Sequence, residues 1–202
     1  AEFEALVTEV EADPSVGIAL GAESAPVEIM EFADYSCPHC ANFAGFAGKL
    51  LRQNYVEGGG PVRWVLYDYV LGTFPHSVAA HVAARCAGEQ GLYWPMHDLL
   101  LARQAGWARG GDPMDAIASI AEEVGVEMGP YRECMGEGRP LPSIAASRKY
   151  GQDLGVSSTP TLFVNGRKID LTGREPYSYV ESLIQAELDE DADSAETTGS
   201  GS

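Results

Sequence analysis

The stretch VEIMEFADYSCPHC, residues 27–40, decides the architecture of this chain. Its first eight residues read as a strand, with Val27, Ile29 and Ala33 on one face. Ser36-Cys37-Pro38 then reads as a helix start, because proline is tolerated in a first turn whose backbone N–H groups lack intrahelical partners. The helix is predicted to run to about Tyr55, with Phe43, Phe46, Leu50 and Leu51 at helical spacing. Gly58-Gly59-Gly60-Pro61 breaks it, and 62–71 (VRWVLYDYVL) reads as a second strand. Strand, helix and strand in this order imply parallel strands joined by a right-handed crossover.

Outward from that unit the pattern changes. Upstream, 4–13 reads as a short entry helix stopped at Pro14. Downstream, 76–91, 93–104, 112–124, 131–135 and 144–154 are helical in character. Strand character returns at 161–164, Asn165-Gly166 supplies a hairpin turn, and 168–171 is the returning strand. An amphipathic helix at 175–188 closes the series. The order βαβ, helical block, ββα is that of an α/β thioredoxin fold interrupted by an all-helical insertion domain. The reading divides the chain into an N-terminal extension (1–20), a discontinuous thioredoxin-fold domain (21–72 and 156–188), the insertion (73–155) and a disordered acidic tail (189–202).

Composition excludes several functions without naming one. The 202 residues include 30 acids and 13 bases, a formal net charge of −17. That balance argues against a nucleic-acid binder, whose affinity rests on clustered Lys and Arg. The charge is concentrated at the ends: 1–13 and 187–202 hold eleven acids and no base. The remaining 19 acids against 13 bases leave the middle at −6. No apolar run approaches the roughly 18 residues of a membrane span, and 1–11 lacks the pattern of a secretory signal. Any export signal or anchor is therefore expected to have been removed, or never to have existed, and the final Gly/Ser residues have linker character.

Cys37-Pro38-His39-Cys40 carries the chemistry. Two cysteines three apart at a helix N-terminus after a strand form a redox signature. Unpaired N–H groups and the positive end of the helix dipole favour the Cys37 thiolate, lowering its pKa into the range of roughly 3.5–7.5. His39 can add positive charge or a hydrogen bond. A stabilised thiolate leaves easily, so the disulfide is oxidising and readily passed on. Cys40, one turn later, is expected to be buried and to act as the resolving thiol. The competing readings are a plain stabilising disulfide or half of a zinc site. A structural zinc site usually needs four Cys/His ligands, and no second C-x-x-C or H-x-x-x-H is present.

Four cysteines allow three pairings, and the proximity of Cys37 to Cys40 leaves Cys86 with Cys134. Closing that loop contributes about 4 kcal/mol on a chain-entropy argument. The pair reads as structural and points to an oxidising compartment. A second redox pair relaying electrons is the alternative. His76, His81 and His97 read as packing or surface histidines, and Trp64, Trp94 and Trp107 as core. Neither a cofactor nor a metal is expected.

The segment from Glu31 to Cys40 resembles the active-site region of DsbA-type thiol:disulfide oxidoreductases. The resemblance continues through Tyr67-Asp68-Tyr69, His76, Ala79-Ala80, Arg85-Cys86-Ala87, Glu89-Gln90-Gly91 and 93–100 (YWPMHDLL). It ends in 155–166 (GVSSTPTLFVNG), and covers about residues 20–186. It implies that Pro160 follows Thr159 through a cis bond, in a loop that lies against Cys37-Pro38-His39-Cys40 and offers backbone groups to substrate. The bare residues also allow an ordinary trans proline at a strand start. Glu31 resembles the family's buried acid, which helps move the proton of the resolving cysteine; the alternative is an exposed charge at a strand edge. The resemblance implies an oxidase acting on unfolded or reduced exported proteins outside the cytoplasm, in periplasm or cell envelope, reoxidised by a membrane partner of the DsbB or VKOR type. With only about 25 residues before the first strand, a monomer is expected. A disulfide isomerase or reductase with the same atoms is the first alternative, and Thr before the proline is compatible with it. A soft-metal-binding or chaperone module holding metal on Cys37, His39 and Cys40 is the second.

Overall fold

The computed structural model describes residues 2–199, with side chains described through 193. Helix α1 (Glu2–Glu9) is followed by a 3₁₀ turn, Pro14–Val16, whose start is fixed by the Asp13 carboxylate accepting from the Ser15 N–H. The expected entry helix thus ends sooner, and Pro14 opens a turn of its own. Strand β1 (Ile18–Leu20), three residues long, is too short to leave a periodic signal and was not anticipated. β2 (Val27–Ala33) leads into α2 (Pro38–Phe43), a π turn at Ala44–Gly48 and α3 (Lys49–Tyr55). The π turn changes the phase of the expected continuous helix. Phe46, read as part of the apolar stripe, is 61% exposed, while Ala47 and Leu51 are buried.

β3 (Val62–Asp68) precedes the helical block of α4 (Ser77–Gly88), α5 (Tyr93–Ala102), α6 (Gln104–Trp107), α7 (Met114–Val124), α8 (Met128–Glu137) and α9 (Leu141–Asp153). β4 (Thr161–Val164), β5 (Arg167–Lys168) and α10 (Pro176–Gly199) complete the chain. α10 extends through 189–199, where composition suggested a disordered tail. Once the first turns are nucleated, each added residue costs little, and Glu and Ala are good helix formers. Positions 200–202 of the expected tail lie outside the described residues.

The five strands form one mixed sheet in the order β1-β3-β2-β4-β5. β1 pairs antiparallel with β3, and β4 with β5. The Val27 N–H donates to the Pro61 carbonyl, and the Tyr69 N–H to that of Ala33, so β2 and β3 run in the same direction as the crossover requires. β2 and β3 are buried at six of seven positions each. A strand covered on both faces loses its polar alternation.

Contacts group the chain into two units. The first comprises Ala1–Gly17, Phe32–Gly45 and Tyr67–Pro160 and contains the whole expected insertion. Its core is formed by Ala80, Ala83, Met96, Leu100, Ile117 and Ile144. Phe32 stacks on Tyr67 at 4.9 Å between ring centroids. Gly151 lets α9 approach this cluster, since a Cβ there would lie 2.7 Å from the Tyr69 ring. The disulfide Cys86–Cys134 ties α4 to α8 inside this unit. The second unit comprises Ile18–Glu31, Phe46–Leu66 and Thr161–Ser202, with Val27, Ile29, Leu51, Trp64, Leu162 and Ile184 in its core.

Candidate active site

The turn between β2 and α2 is built around one carboxylate. Asp34 is fully buried, and its side chain accepts from the Ser36 N–H at 2.8 Å, the Leu71 N–H at 2.9 Å and the Ser77 hydroxyl. Its carbonyl accepts from the Cys37 N–H at 3.0 Å. Its own N–H points at the Cys40 Sγ, 3.4 Å away. A buried polar group without such partners is costly, so the network fixes the approach to the helix. Sequence reasoning passed over Asp34, because a lone Asp after a strand carries no spacing signal.

Cys37 is the N-cap of α2 and makes no side-chain cap, with Pro38 at the first helical position. The N-terminal N–H groups of α2 are thereby left to face its sulfur. The structure holds Cys37 and Cys40 as free thiols, both buried. Their acidities are driven apart. The Cys37 thiol is lowered to about 5, chiefly by a hydrogen bond from Cys40; burial opposes this, and Thr159 with the backbone N–H groups of Cys40 and His39 assists it. Cys40 is pushed up, first by burial and then by its bond to Cys37 and the neighbouring negative charge. The His39 side chain is exposed, and its backbone N–H is among the groups that support the thiolate.

From the far end of the insertion, the Thr159–Pro160 peptide bond is cis, and the Cys37 Sγ–H lies 3.4 Å from the Thr159 carbonyl oxygen, to which it donates. Cys37, Cys40, His39, Pro38, Thr159 and Pro160 are therefore collected in one unit. In the other unit Glu31 is buried, and its Oε2 accepts from the Trp64 indole N–H at 3.0 Å. The choice between core and strand edge falls to the core.

Below the site lies a second polar cluster. His81 and Arg85 both bond the buried Asp68 carboxylate, at 2.6 and 2.5 Å. The Tyr35 hydroxyl meets the Tyr93 hydroxyl and the His97 Nδ1, each at 3.1 Å. Among the described residues, no group of three or more His, Cys, Asp and Glu side chains is placed to hold a metal ion. With one acidic, nucleophilic thiol and one that strongly prefers its proton, the Cys37–Cys40 pair is able to exchange electrons between sulfurs.

The thioredoxin family model matches residues 14–186. The chain belongs to the thioredoxin family. Its fold is shared with the alpha-DsbA1 of Wolbachia pipientis at TM-score 0.76 and 16% identity, covering 91% of this chain and 96% of that one. A thioredoxin-like oxidoreductase from Silicibacter pomeroyi superposes at TM-score 0.67 with 26% identity, covering 94% and 97%. These place the chain among thioredoxin-family members of DsbA-like architecture. In sequence it is 36% identical over 160 residues to the Na(+)/H(+) antiporter NhaA 3 of Salinispora tropica, matching 79% of this chain. The chain spans less than a quarter of that relative's length, 23%.

Proposed function

We propose that this thioredoxin-family chain is a thiol:disulfide oxidoreductase that works as an oxidase on reduced, exported proteins. The observation carrying this reading is the opposed acidity of Cys37, at about 5, and Cys40, raised, within one helix turn. A stable Cys37 thiolate makes the dithiol form favourable and the disulfide a willing acceptor of electrons. In the oxidised form, a substrate thiolate attacks the Cys37 Sγ. The Cys37–Cys40 bond breaks, and the Cys40 sulfur leaves and takes a proton. A second substrate thiolate then attacks the substrate sulfur of the mixed disulfide, and Cys37 departs as a thiolate. The substrate dithiol has lost two electrons and the enzyme disulfide has gained them. In reverse, Cys40 is the resolving thiol. Glu31 supplies a buried carboxyl to help the Cys40 proton move, and the Thr159–Pro160 loop offers backbone groups to the bound polypeptide.

Reoxidation falls to a membrane partner of the DsbB or VKOR type. The buried Cys86–Cys134 disulfide supports an extracytoplasmic setting, because such bonds persist in oxidising compartments. Among the described residues no helix is long and apolar enough to cross a membrane. The test is the equilibrium of the Cys37–Cys40 pair with glutathione. A potential well above glutathione's fits the oxidase; one near thioredoxin's assigns the same atoms to reduction or isomerisation.

A further inference from the structure

We infer that Gln104 is a positioning residue of the redox centre, clamping the Cys37 loop from α6 by donating both of its amide hydrogens. The inference rests on the oxidoreductase reading and deepens it. The Gln104 Nε2 lies 2.7 Å from the Tyr35 carbonyl oxygen and 2.8 Å from the Cys37 carbonyl oxygen. A side-chain amide nitrogen has two N–H donors, and two carbonyls use both; the reversed amide would set oxygen against oxygen. Those carbonyls bracket Ser36, so one side chain fixes the backbone on either side of the turn into α2.

Gln104 is itself held. The α5 helix gives way at Arg103 to the single turn of α6, whose Trp107 is buried and donates its indole N–H to the Leu100 carbonyl at 2.9 Å. The Ala108 N–H closes the turn on the Gln104 carbonyl at 2.8 Å. The clamp thus reaches the active-site turn from a packed element 67 residues further along the chain.

Two consequences follow for Cys37. First, its carbonyl also accepts from the Ala41 N–H at 3.2 Å, so the clamp fixes the Cys37–Pro38 peptide that leads into α2, whose His39 and Cys40 N–H groups support the thiolate. Second, the two amide N–H groups bring positive partial charge to the carbonyls of Tyr35 and Cys37, in the turn that carries the sulfur. Both effects favour the charged sulfur over the neutral one.

The test is Gln104→Met, which keeps the length and packing of the side chain and removes both donors, with Gln104→Glu as a second variant. Losing the clamp is expected to raise the Cys37 thiolate midpoint by about half to one pH unit, and to shift the glutathione equilibrium about three- to tenfold toward the disulfide. Gln104→Glu, which sets a carboxylate against the same carbonyls, is expected to raise the midpoint further near neutral pH. If both variants keep the wild-type midpoint and equilibrium, whatever their melting temperatures, the inference is overturned. If the wild-type protein itself does not exchange with glutathione, the oxidoreductase reading fails instead. A variant midpoint that moves in a wild type showing exchange supports both.

Discussion

Cys37 and Thr159 stand 122 positions apart in the chain, yet the Cys37 Sγ–H lies 3.4 Å from the Thr159 carbonyl oxygen. The helical insertion separates them in sequence and returns the chain to the same turn. The side chain of the same Thr159 is among the groups that lower the Cys37 pKa to about 5, after the Cys40 hydrogen bond.

The first prediction is a titration. Ultraviolet thiolate absorbance of the reduced protein is expected to show a midpoint near 5, absent in Cys37→Ser. The folded value lies below that of an unfolded cysteine, about 8.5. The stability that the thiolate gives the reduced form is therefore fully present above about pH 8.5 and is lost as pH falls through about 5. Reduced wild type should lose more stability than Cys37→Ser across that window. A midpoint near that of free cysteine would remove the basis for an oxidising disulfide.

Substitution at the two thiols separates their roles. Cys37→Ser is expected to abolish oxidation of a reduced substrate protein, since no other sulfur of the pair is acidic enough to attack or leave readily. Cys40→Ser should instead accumulate a stable mixed disulfide on Cys37 when offered a disulfide substrate, because the resolving thiol is gone. Mass measurement after alkylation distinguishes the two. Full turnover by Cys37→Ser contradicts the mechanism.

The Cys86–Cys134 bond closes a separation of 48 residues between two helices of one unit. Replacing both by Ala is expected to cost about 4 kcal/mol in denaturant unfolding, on the chain-entropy account. Cys86 and Cys134 are both buried, away from any C-x-x-C context. The Cys37 midpoint of the double variant should therefore match wild type. A changed midpoint would support a redox relay through this pair.

What the sequence disclosed and what it hid follow from range. β2, α2 and the Cys37-Pro38-His39-Cys40 signature are local patterns, and β4 with its Asn165-Gly166 turn is equally local, so each was legible. The cis bond before Pro160 and the buried place of Glu31 came from resemblance, since alternation alone left Glu31 between core and edge. Asp34 and Gln104 had no local mark: their meaning lies in hydrogen bonds to Leu71, Ser77, Tyr35 and Cys37. The π turn that exposes Phe46 was hidden for a different reason. A one-residue change of phase occurs between two stretches that each fit a helix.

Asp68 yields the last prediction, and it concerns the floor of the site rather than its sulfurs. Burial pushes the Asp68 carboxyl up, but the Arg85 guanidinium and then His81 overcome it, holding it at about 2. Arg85 passes the constraint on by donating to the Val16 carbonyl at 2.7 Å, and the His81 ring packs edge-on against Tyr35, 4.7 Å between centroids. The ionised carboxylate thus ties α4 to β3 beneath the turn that carries Cys37. Asp68→Asn keeps the shape but leaves the Arg85 charge largely unpaired, and is expected to cost about 3–5 kcal/mol. The sign of the pH dependence follows from the depressed value. The contribution is fully present above about 3.9, the unfolded carboxyl value, and is lost as pH falls through about 2. Acid unfolding of wild type should therefore steepen in that window, and Asp68→Asn, already destabilised at neutral pH, should lack the step. Equal acid profiles for the two proteins would mean that Arg85 and His81 do not hold the carboxylate as the geometry indicates.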